Sequence, residues 1–279
     1  MVWLLGAVAL AIVLVLAERL FVAPEDQLTA QDALALPHSR VRLVARLERY
    51  VLRFVDPPVR GATVEFFEGE ARLGSAVTDA QGFASIEVDA GPAGRRRFRV
   101  VSRRSQEALV VDVLASDAPV LALDLDHTVA DVSTWRFALA TSREVRALEG
   151  AVEAIRRLAN RYAIIFLTAR DHSFLAKTRE WLRLQGLPDG PAFLRRRRFW
   201  SQRAGDHKLE RLGELKRTHR LVAGAGDMPA DVKAYLANGM AAFLIDPRGA
   251  VPDIEGAVRV SSWKELEAKL SATSATSTS

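Results

Sequence analysis

Residues 119–128 read PVLALDLDHT, and this stretch decides the fold of the larger part of the chain. The apolar run over residues 120–125 ends in acids, which is typical of a strand buried on both faces of a parallel sheet. Strand and helix patterns then alternate: strands over 163–167, 221–226 and 241–245, and helices over 150–161, 174–185, 208–217 and 229–238. This alternation predicts an α/β fold with a doubly wound parallel sheet across residues 117–270.

Polar side chains follow the predicted strands at their carboxyl ends, where ligands bind in sheets of this kind. In chain order they are Asp124, Asp126, Thr168, Arg170, Lys208, Asp227 and Asp231. Each would be ordinary alone, because an aspartate after a strand is often a helix cap and a lysine is usually solvated. Their order and shared position favour a single site.

The motifs DLDHT (124–128), FLTAR (166–170), Lys208 and GDMPAD (226–231) resemble the four motifs of the haloacid-dehalogenase superfamily of aspartate-nucleophile phosphohydrolases. The resemblance extends over residues 119–270 and implies a Rossmann-like phosphohydrolase domain. It implies four catalytic roles: Asp124 as the nucleophile, Asp126 as general acid and then base, Thr168 as a hydrogen-bond donor to the phosphoryl group, and Lys208 as its counter-charge.

The same resemblance implies a Mg²⁺ ion and a substrate pocket. The ion would be held by Asp124, the main-chain carbonyl of Asp126, Asp227 and Asp231. Thr128 and Arg170 would bind the substrate. His127 stands where the family commonly has glycine, so we expect it at the pocket mouth and not among the ligands.

Elementary chemistry explains why such a site needs these groups. A phosphate monoester dianion repels a carboxylate, so a divalent cation and a lysine must offset the charge. Asp126 would protonate the leaving alkoxide and then deprotonate water. The family's ion pumps carry threonine at this position, so the aspartate favours a hydrolase. Lys216 competes for the lysine role, but Lys208 begins its predicted helix near the end of the sheet and is preferred.

A narrower resemblance concerns the substrate. The stretches TREWLRLQGLPDGP (178–191) and PADVKAYLANG (229–239) look like the lipin-type phosphatidate phosphatases, which implies Mg²⁺-dependent hydrolysis of phosphatidate. Two alternatives stay open: a phosphatase of a soluble or nucleic-acid phosphomonoester, and a non-catalytic module that binds phosphatidate. The intact pair Asp124 and Asp126 argues against the module.

The basic run Arg195–Arg198 precedes Phe199 and Trp200. Such a run suits lipid headgroups and the membrane interface. The same residues could contact a nucleic-acid backbone and stack a base, or form a solvated loop with two core aromatics. A phosphorylated lipid is the favoured partner, and a nucleic acid is not.

Residues 40–116 show short strand patterns with turn signals and predict a small β-sandwich after a linker over residues 24–39. The turn DAQG (79–82) between SAVT and FASIEV predicts a hairpin. The region resembles the immunoglobulin-like, transthyretin-like accessory domains of bacterial proteins. Its first arginines, Arg42, Arg46, Arg49 and Arg53, would also fit the basic stripe of a membrane-surface helix, but the alternation of apolar residues favours a strand.

The chain begins with an unbroken apolar run, Val2–Ala17, which predicts a single-pass transmembrane helix within residues 1–23. A signal peptide is the competing interpretation, although no Lys or Arg precedes the run and no A-x-A box follows it. A buried helix of a soluble fold is the third. The arginines of residues 40–53 favour an orientation with the bulk of the protein on the cytoplasmic side of a membrane. Residues 271–279 predict a disordered tail.

Composition excludes several classes of protein. The 279 residues are 49% hydrophobic and 26% charged, so disorder of the whole chain is excluded. There is no cysteine, which removes disulfides, zinc–thiolate sites and a cysteine nucleophile. The net charge of +5 is a mild bias toward phosphate-rich partners.

Overall fold

The computed structural model describes residues 26–49, 57–195 and 204–275. The predicted membrane anchor lies outside these ranges, as do Arg53 and the segment 196–203 with Phe199 and Trp200. Within the ranges, no helix has the length and apolarity that crossing a membrane requires.

Eight strands precede the parallel sheet: β1 (Asp26–Gln31), β2 (Ala33–Ala35), β3 (Arg40–Arg49), β4 (Thr63–Glu68), β5 (Ala71–Val77), β6 (Phe83–Asp89), β7 (Gly94–Ser102) and β8 (Ser105–Val113). One sheet has the order β1-β3-β6, and the other has the order β2-β8-β7-β4-β5. In β3, buried side chains such as Leu43 and Leu47 alternate with more exposed ones. The strand interpretation of this arginine-rich segment is therefore confirmed.

The prediction of a linker over residues 24–39 is wrong for its described part, which contains β1 and β2. β1 pairs antiparallel with β3 along its whole length, and Leu28 and Ala30 are buried. The polar composition of the segment hides this pairing, because the partner strand that satisfies its backbone lies further along the chain.

Residues 79–82 turn the chain as predicted, but they do not close a hairpin. The Asp79 carboxylate accepts hydrogen bonds from the backbone N–H groups of Gln81 (2.8 Å) and Phe83 (2.9 Å). The flanking strands β5 and β6 join different sheets, because the Leu47 N–H of β3 donates to the Gly82 carbonyl. With φ at +80° and the Leu47 carbonyl oxygen 2.5 Å from any Cβ, position 82 requires glycine.

The second part of the chain is built on a six-stranded sheet in which all paired strands are parallel: β9 (Pro119–Leu123), β10 (Ala163–Asp171), β11 (Ala192–Arg195), β12 (Arg220–Gly226), β13 (Ala241–Ile245) and β14 (Ala257–Val260). The order is β11-β10-β9-β12-β13-β14, which places β9 between β10 and β12. Along β9, Leu121 and Leu123 enter one core while Val120 and Ala122 enter another. Burial on both faces is why this strand is apolar throughout.

Six helices accompany this sheet: α1 (Thr134–Leu139), α2 (Ala151–Leu158), α3 (Leu175–Leu184), α4 (Ala204–Lys216), α5 (Pro229–Ala237) and α6 (Trp263–Ala275). α2, α3 and α6 bury apolar residues in the core that contains Leu121, whereas α4 and α5 pack in the core that contains Val120. Helices therefore cover both faces, and the predicted doubly wound α/β fold is confirmed. α6 continues to Ala275 beyond the buried Leu270, so the tail predicted from residue 271 begins too early.

The chain forms two compact units whose division differs from the domain boundary predicted near residue 117. Of the described residues, the first unit takes those up to Gln31 and those within Val41–Val88 and Arg97–Leu109. The second takes Asp32–Arg40, Asp89–Arg96 and the described residues from Val110 onward. Within the second unit, the buried Asp32 carboxylate accepts hydrogen bonds from the backbone N–H groups of Val110 (2.7 Å) and Ala192 (2.9 Å) and pairs with Arg179. These bonds connect the short segment that contains Asp32 to β11 and α3 within the same unit.

Candidate active site

Asp124 immediately follows β9 and is 4% exposed. Its backbone N–H donates to the Ala225 carbonyl of neighbouring β12 at 3.0 Å, so the parallel sheet itself places this residue. The Thr128 hydroxyl lies 3.2 Å from Asp124 Oδ2 and 3.4 Å from Asp227 Oδ1. Thr128, predicted to bind substrate, thus bridges the ends of β9 and β12.

Lys208 on α4 supplies the positive charge of the site. Its side chain is 2% exposed, and its Nζ donates to Asp124 Oδ1 and to Asp231 Oδ1, the latter at 2.6 Å. Lys216, the competing candidate on the same helix, is exposed. The structure therefore brings Lys208, and not Lys216, to the predicted nucleophile.

Asp231 reaches the site because of the residue that ends β12. A Cβ at Gly226 would lie 2.6 Å from the Asp231 side chain, so only glycine leaves room for this carboxylate. The other carboxylate oxygen, Oδ2, accepts a hydrogen bond from the Met228 N–H at 3.3 Å. Asp231 thus accepts one hydrogen bond at the start of α5 and another from Lys208 in the site.

Three carboxylates converge on one point: Asp124, Asp227 and Asp231 each offer an oxygen, and these atoms lie within 4.8 Å of one another. Hard oxygen donors of this kind suit Mg²⁺, which prefers one or two carboxylates together with water and substrate oxygens. The residues therefore fit the implied ion. The Asp126 side chain is not among these three, and the role of its main-chain carbonyl as a ligand stays a prediction.

Asp126 is held by two neighbours. Its Oδ1 accepts hydrogen bonds from Arg170 Nε (3.0 Å) and Nη2 (2.6 Å), and its Oδ2 accepts one from the Thr134 hydroxyl (2.5 Å). The side chain remains 13% exposed. Both carboxylate oxygens are thus held in place while the side chain stays partly open to solvent, and the acid/base role of Asp126 stays a prediction.

Arg170 is fully buried, which differs from its predicted contact with substrate. Its guanidinium carbon lies 3.4 Å from the ring centroid of Phe137, and Nη1 donates to the Thr178 hydroxyl at 3.2 Å. With Asp126 as its ion-pair partner, Arg170 acts on the site through that carboxylate. Sequence spacing does not reveal this contact, because Asp126 and Arg170 are 44 residues apart in the chain.

Thr168 lies inside β10 and is fully buried, with its hydroxyl accepting a hydrogen bond from the Arg170 N–H at 3.3 Å. Its role toward a phosphoryl group stays a prediction.

Two contributors to the site were not predicted, Thr134 and Trp263. The indole N–H of buried Trp263 donates to the Thr128 carbonyl at 2.9 Å and supports the catalytic loop from 135 residues away. No local pattern in the sequence could have indicated that contact.

His127 is exposed and has a φ of 56°, in the left-handed region. The conformation explains why glycine is common there in the resembled family. Holding a histidine in this backbone conformation costs about 1 kcal/mol of folding free energy. His127 is not among the three residues of the carboxylate cluster, and its place at the pocket mouth stays a prediction.

The electrostatics of the site reflect excess buried negative charge. Burial raises the pKa of Asp124 to about 7, against the attraction of Lys208. Burial and repulsion from Asp231 raise the pKa of Asp227 to about 6. Burial alone would lower the pKa of Lys208, but Asp124 and Asp231 attract its ammonium group and raise it. A bound divalent cation would relieve this repulsion.

Mg²⁺ is expected to raise the melting temperature, and more at about pH 8 than at about pH 5.5. Because the folded carboxyl groups hold protons up to a pH of about 6 to 7 and the unfolded ones release them near 4, the metal-free protein loses stability as pH rises through this window. The ion competes with those protons, so its affinity increases over the same window. At a hundredfold excess over Kd, it contributes about 2.7 kcal/mol.

Thermal melts with and without Mg²⁺ at the two pH values measure this effect. Asp231→Asn should remove most of the shift, whereas Asp131→Asn, a change at an exposed aspartate outside the cluster, should preserve it. An equal Mg²⁺ shift in both variants would show that the ion binds elsewhere.

Comparison with known proteins agrees with this geometry. Residues 121–245 match the family model described as PITM 1-3, LNS2 domain. The chain is similar to LNS2 domains. The resemblance to lipin-type, haloacid-dehalogenase-like phosphohydrolases, predicted from the motifs, is thereby confirmed.

Solved structures resemble parts of the chain at low identity. A haloacid dehalogenase-like hydrolase from Xanthomonas campestris is 14% identical, with 58% of this chain and 98% of that one covered and a TM-score of 0.40. A hydrolase of the same family from Deinococcus radiodurans, with bound phosphate and sodium, is 17% identical over 57% and 97% of the two chains, with a TM-score of 0.42. Domain I10 of titin is 5% identical over 32% and 99%, with a TM-score of 0.25. None of the curated proteins compared with the chain matches it.

Proposed function

We propose that the protein is a Mg²⁺-dependent phosphomonoesterase that forms an aspartyl-phosphate on Asp124 and acts on phosphatidate or a related lipid phosphate. The observation that carries the proposal is the cluster of the Asp124, Asp227 and Asp231 carboxylates, with the buried Lys208 bonded to Asp124 and Asp231. The similarity to LNS2 domains supports a phosphatase.

In the proposed reaction, an Asp124 oxygen attacks phosphorus and the bond from phosphorus to the leaving alkoxide breaks. Bound Mg²⁺ would supply positive charge beside the phosphate. Lys208 favours the ionised form of Asp124 against the opposing effect of burial, and it adjoins the same charge. Asp126, held by Arg170 and Thr134, protonates the leaving oxygen and then takes a proton from the water that hydrolyses the acyl-phosphate.

Asp126→Asn is expected to lower turnover by about 10²–10⁴-fold, because positioned proton transfer is lost in both steps. The asparagine keeps an oxygen for Arg170, so the fold should survive. Slow hydrolysis should let a phosphoenzyme accumulate from a labelled substrate, and its label should be absent in Asp124→Asn. Phosphatase rates like those of the wild type in Asp126→Asn would end the acid/base assignment.

The lipid substrate rests on the resemblance of residues 178–191 and 229–239 to phosphatidate phosphatases, and on the apolar run Val2–Ala17. In this proposal the run is a single-pass membrane anchor, with the catalytic domain leaning to the cytoplasmic side. Of the basic run Arg195–Arg198, Arg195 is buried at the end of β11, so it is not available to a headgroup as predicted. The sequence of Arg196–Arg198 favours anionic headgroups. A membrane lipid, and not a nucleic acid, is the proposed partner.

Phosphate release from phosphatidate vesicles with Mg²⁺ is the deciding measurement. Release from vesicles supports the proposal in full. Release from soluble esters alone would support the general phosphatase and reject the lipid substrate. Vesicle binding without any release would indicate a phosphatidate-binding module and reject catalysis.

A further inference from the structure

We propose that helix α1 is a lipid-surface contact at the active site, where Trp135 and Leu139 enter the bilayer interface. The proposal rests on the lipid substrate proposed above and names the surface that meets it. α1 exposes 55% of Trp135 and 75% of Leu139, which lie one helical turn apart and therefore on the same face. Large apolar side chains so exposed on one short helix call for a physical reason.

Contacts made by other residues hold α1 in place. Phe137, on its inner side, is fully buried beneath the Arg170 guanidinium. The Thr134 hydroxyl donates to Asp126 at the start of the helix. At its end, Lys177 Nζ donates to the Phe137 and Ala140 carbonyls. The outer face is therefore presented by a helix fixed at both ends.

The location of α1 relates this face to the chemistry. Thr134 directly precedes Trp135 and is bonded to the proposed general acid Asp126, so the exposed tryptophan adjoins the catalytic loop. Two other exposed apolar side chains directly follow site residues in sequence: Met228 after Asp227, and Leu209 after Lys208. Exposed apolar residues that adjoin these groups along the chain suit a substrate whose phosphate is attached to acyl chains.

The chemistry of α1 favours a lipid surface over other partners. Tryptophan is enriched where membrane meets water, because its indole is apolar with one polar edge. Arg136, between the two apolar residues, is exposed, and α1 carries no acidic residue in its first turn. An arginine beside a tryptophan and a leucine matches anionic headgroups above an acyl layer.

The test compares full-length wild type with the double variant Trp135→Ala/Leu139→Ala, reconstituted in phosphatidylcholine vesicles that contain phosphatidate. We expect about a tenfold or greater loss of vesicle phosphatase activity, since two apolar side chains lose their lipid environment. Activity on soluble para-nitrophenyl phosphate should stay unchanged. Leu184→Ala/Val258→Ala, which truncates two partly exposed apolar residues away from α1, is the matched control and should retain both activities. Equal loss on both substrates, or no loss on vesicles, would overturn the proposal.

A second readout does not depend on catalysis. Brominated phosphatidylcholine quenches indoles that enter the acyl region, and the difference between wild type and Trp135→Phe isolates Trp135 among the five tryptophans. Quenching of this difference signal supports the surface, and its absence overturns the surface even if phosphatidate is hydrolysed. Quenching without phosphate release from any ester would defeat the proposed function and leave the surface standing, so the two failures are distinguishable.

Discussion

Asp124→Asn is expected to abolish phosphate release, with turnover lowered by about 10⁴-fold or more, because the group that accepts the phosphoryl is gone. The asparagine oxygen can still accept from Lys208 or Thr128, and one buried negative charge beside Asp231 disappears. Activity should therefore collapse while the metal-free protein stays folded. Steady-state assays and thermal melts on the same preparation measure both effects.

Asp131→Asn is the matched control for that experiment, since it makes the same chemical change at an exposed site. It should behave as wild type in both measurements. A fluoride-based phosphate mimic should bind wild type and fail to bind Asp124→Asn. Turnover retained by Asp124→Asn would place the nucleophile elsewhere and would remove the proposed mechanism.

Lys208→Met is expected to lose activity and also about 3–5 kcal/mol of folding stability. Asp124 and Asp231 are both buried, and this variant removes the ammonium group bonded to each of them. An uncompensated buried charge carries a cost of that size. Added Mg²⁺ should recover part of the stability but not the activity, because a divalent ion offsets charge without replacing the lysine's contact with the phosphate.

Lys216→Met provides the control on the same helix. Lys216 is exposed, so its loss should change stability by no more than about 0.5 kcal/mol and leave turnover intact. Urea unfolding with and without Mg²⁺, followed by phosphatase assays, compares the two variants. If Lys216→Met were the damaging change and Lys208→Met the silent one, the charge assignment in the site would be wrong.

The prediction of the α/β fold succeeded where local sequence and final environment agree. Residues 120–123 are apolar because both faces of β9 are covered, and that requirement is visible without coordinates. The same logic brought Asp124 and Asp227 together, because parallel strands bring their carboxyl ends to one edge. Lys208 was preferred over Lys216 because the prediction placed it at the start of the helix. The helix in fact begins at Ala204, and Lys208 lies in its second turn.

The prediction failed where the partner is distant in sequence. β1 and β2 look like a linker until β3 and β8 supply their backbone hydrogen bonds. The turn at residues 79–82 has the composition of a hairpin, yet the chain crosses between sheets there. In each case the composition of the segment is explained by its local structure, but residues distant in the chain determine which strand pairs with it.

The amino-acid sequence by itself determined the parallel sheet, the order of its motifs and the set of acids and lysine at its edge, because burial and strand polarity constrain these residues locally. Only the tertiary structure decided what each side chain touches. Arg170 was predicted to contact the substrate, and it pairs with Asp126 instead. The outer face of α1 is apolar, which the sequence did not indicate. Such contacts join residues tens of positions apart, and their distances depend on how helices and loops pack, which no spacing along the chain encodes.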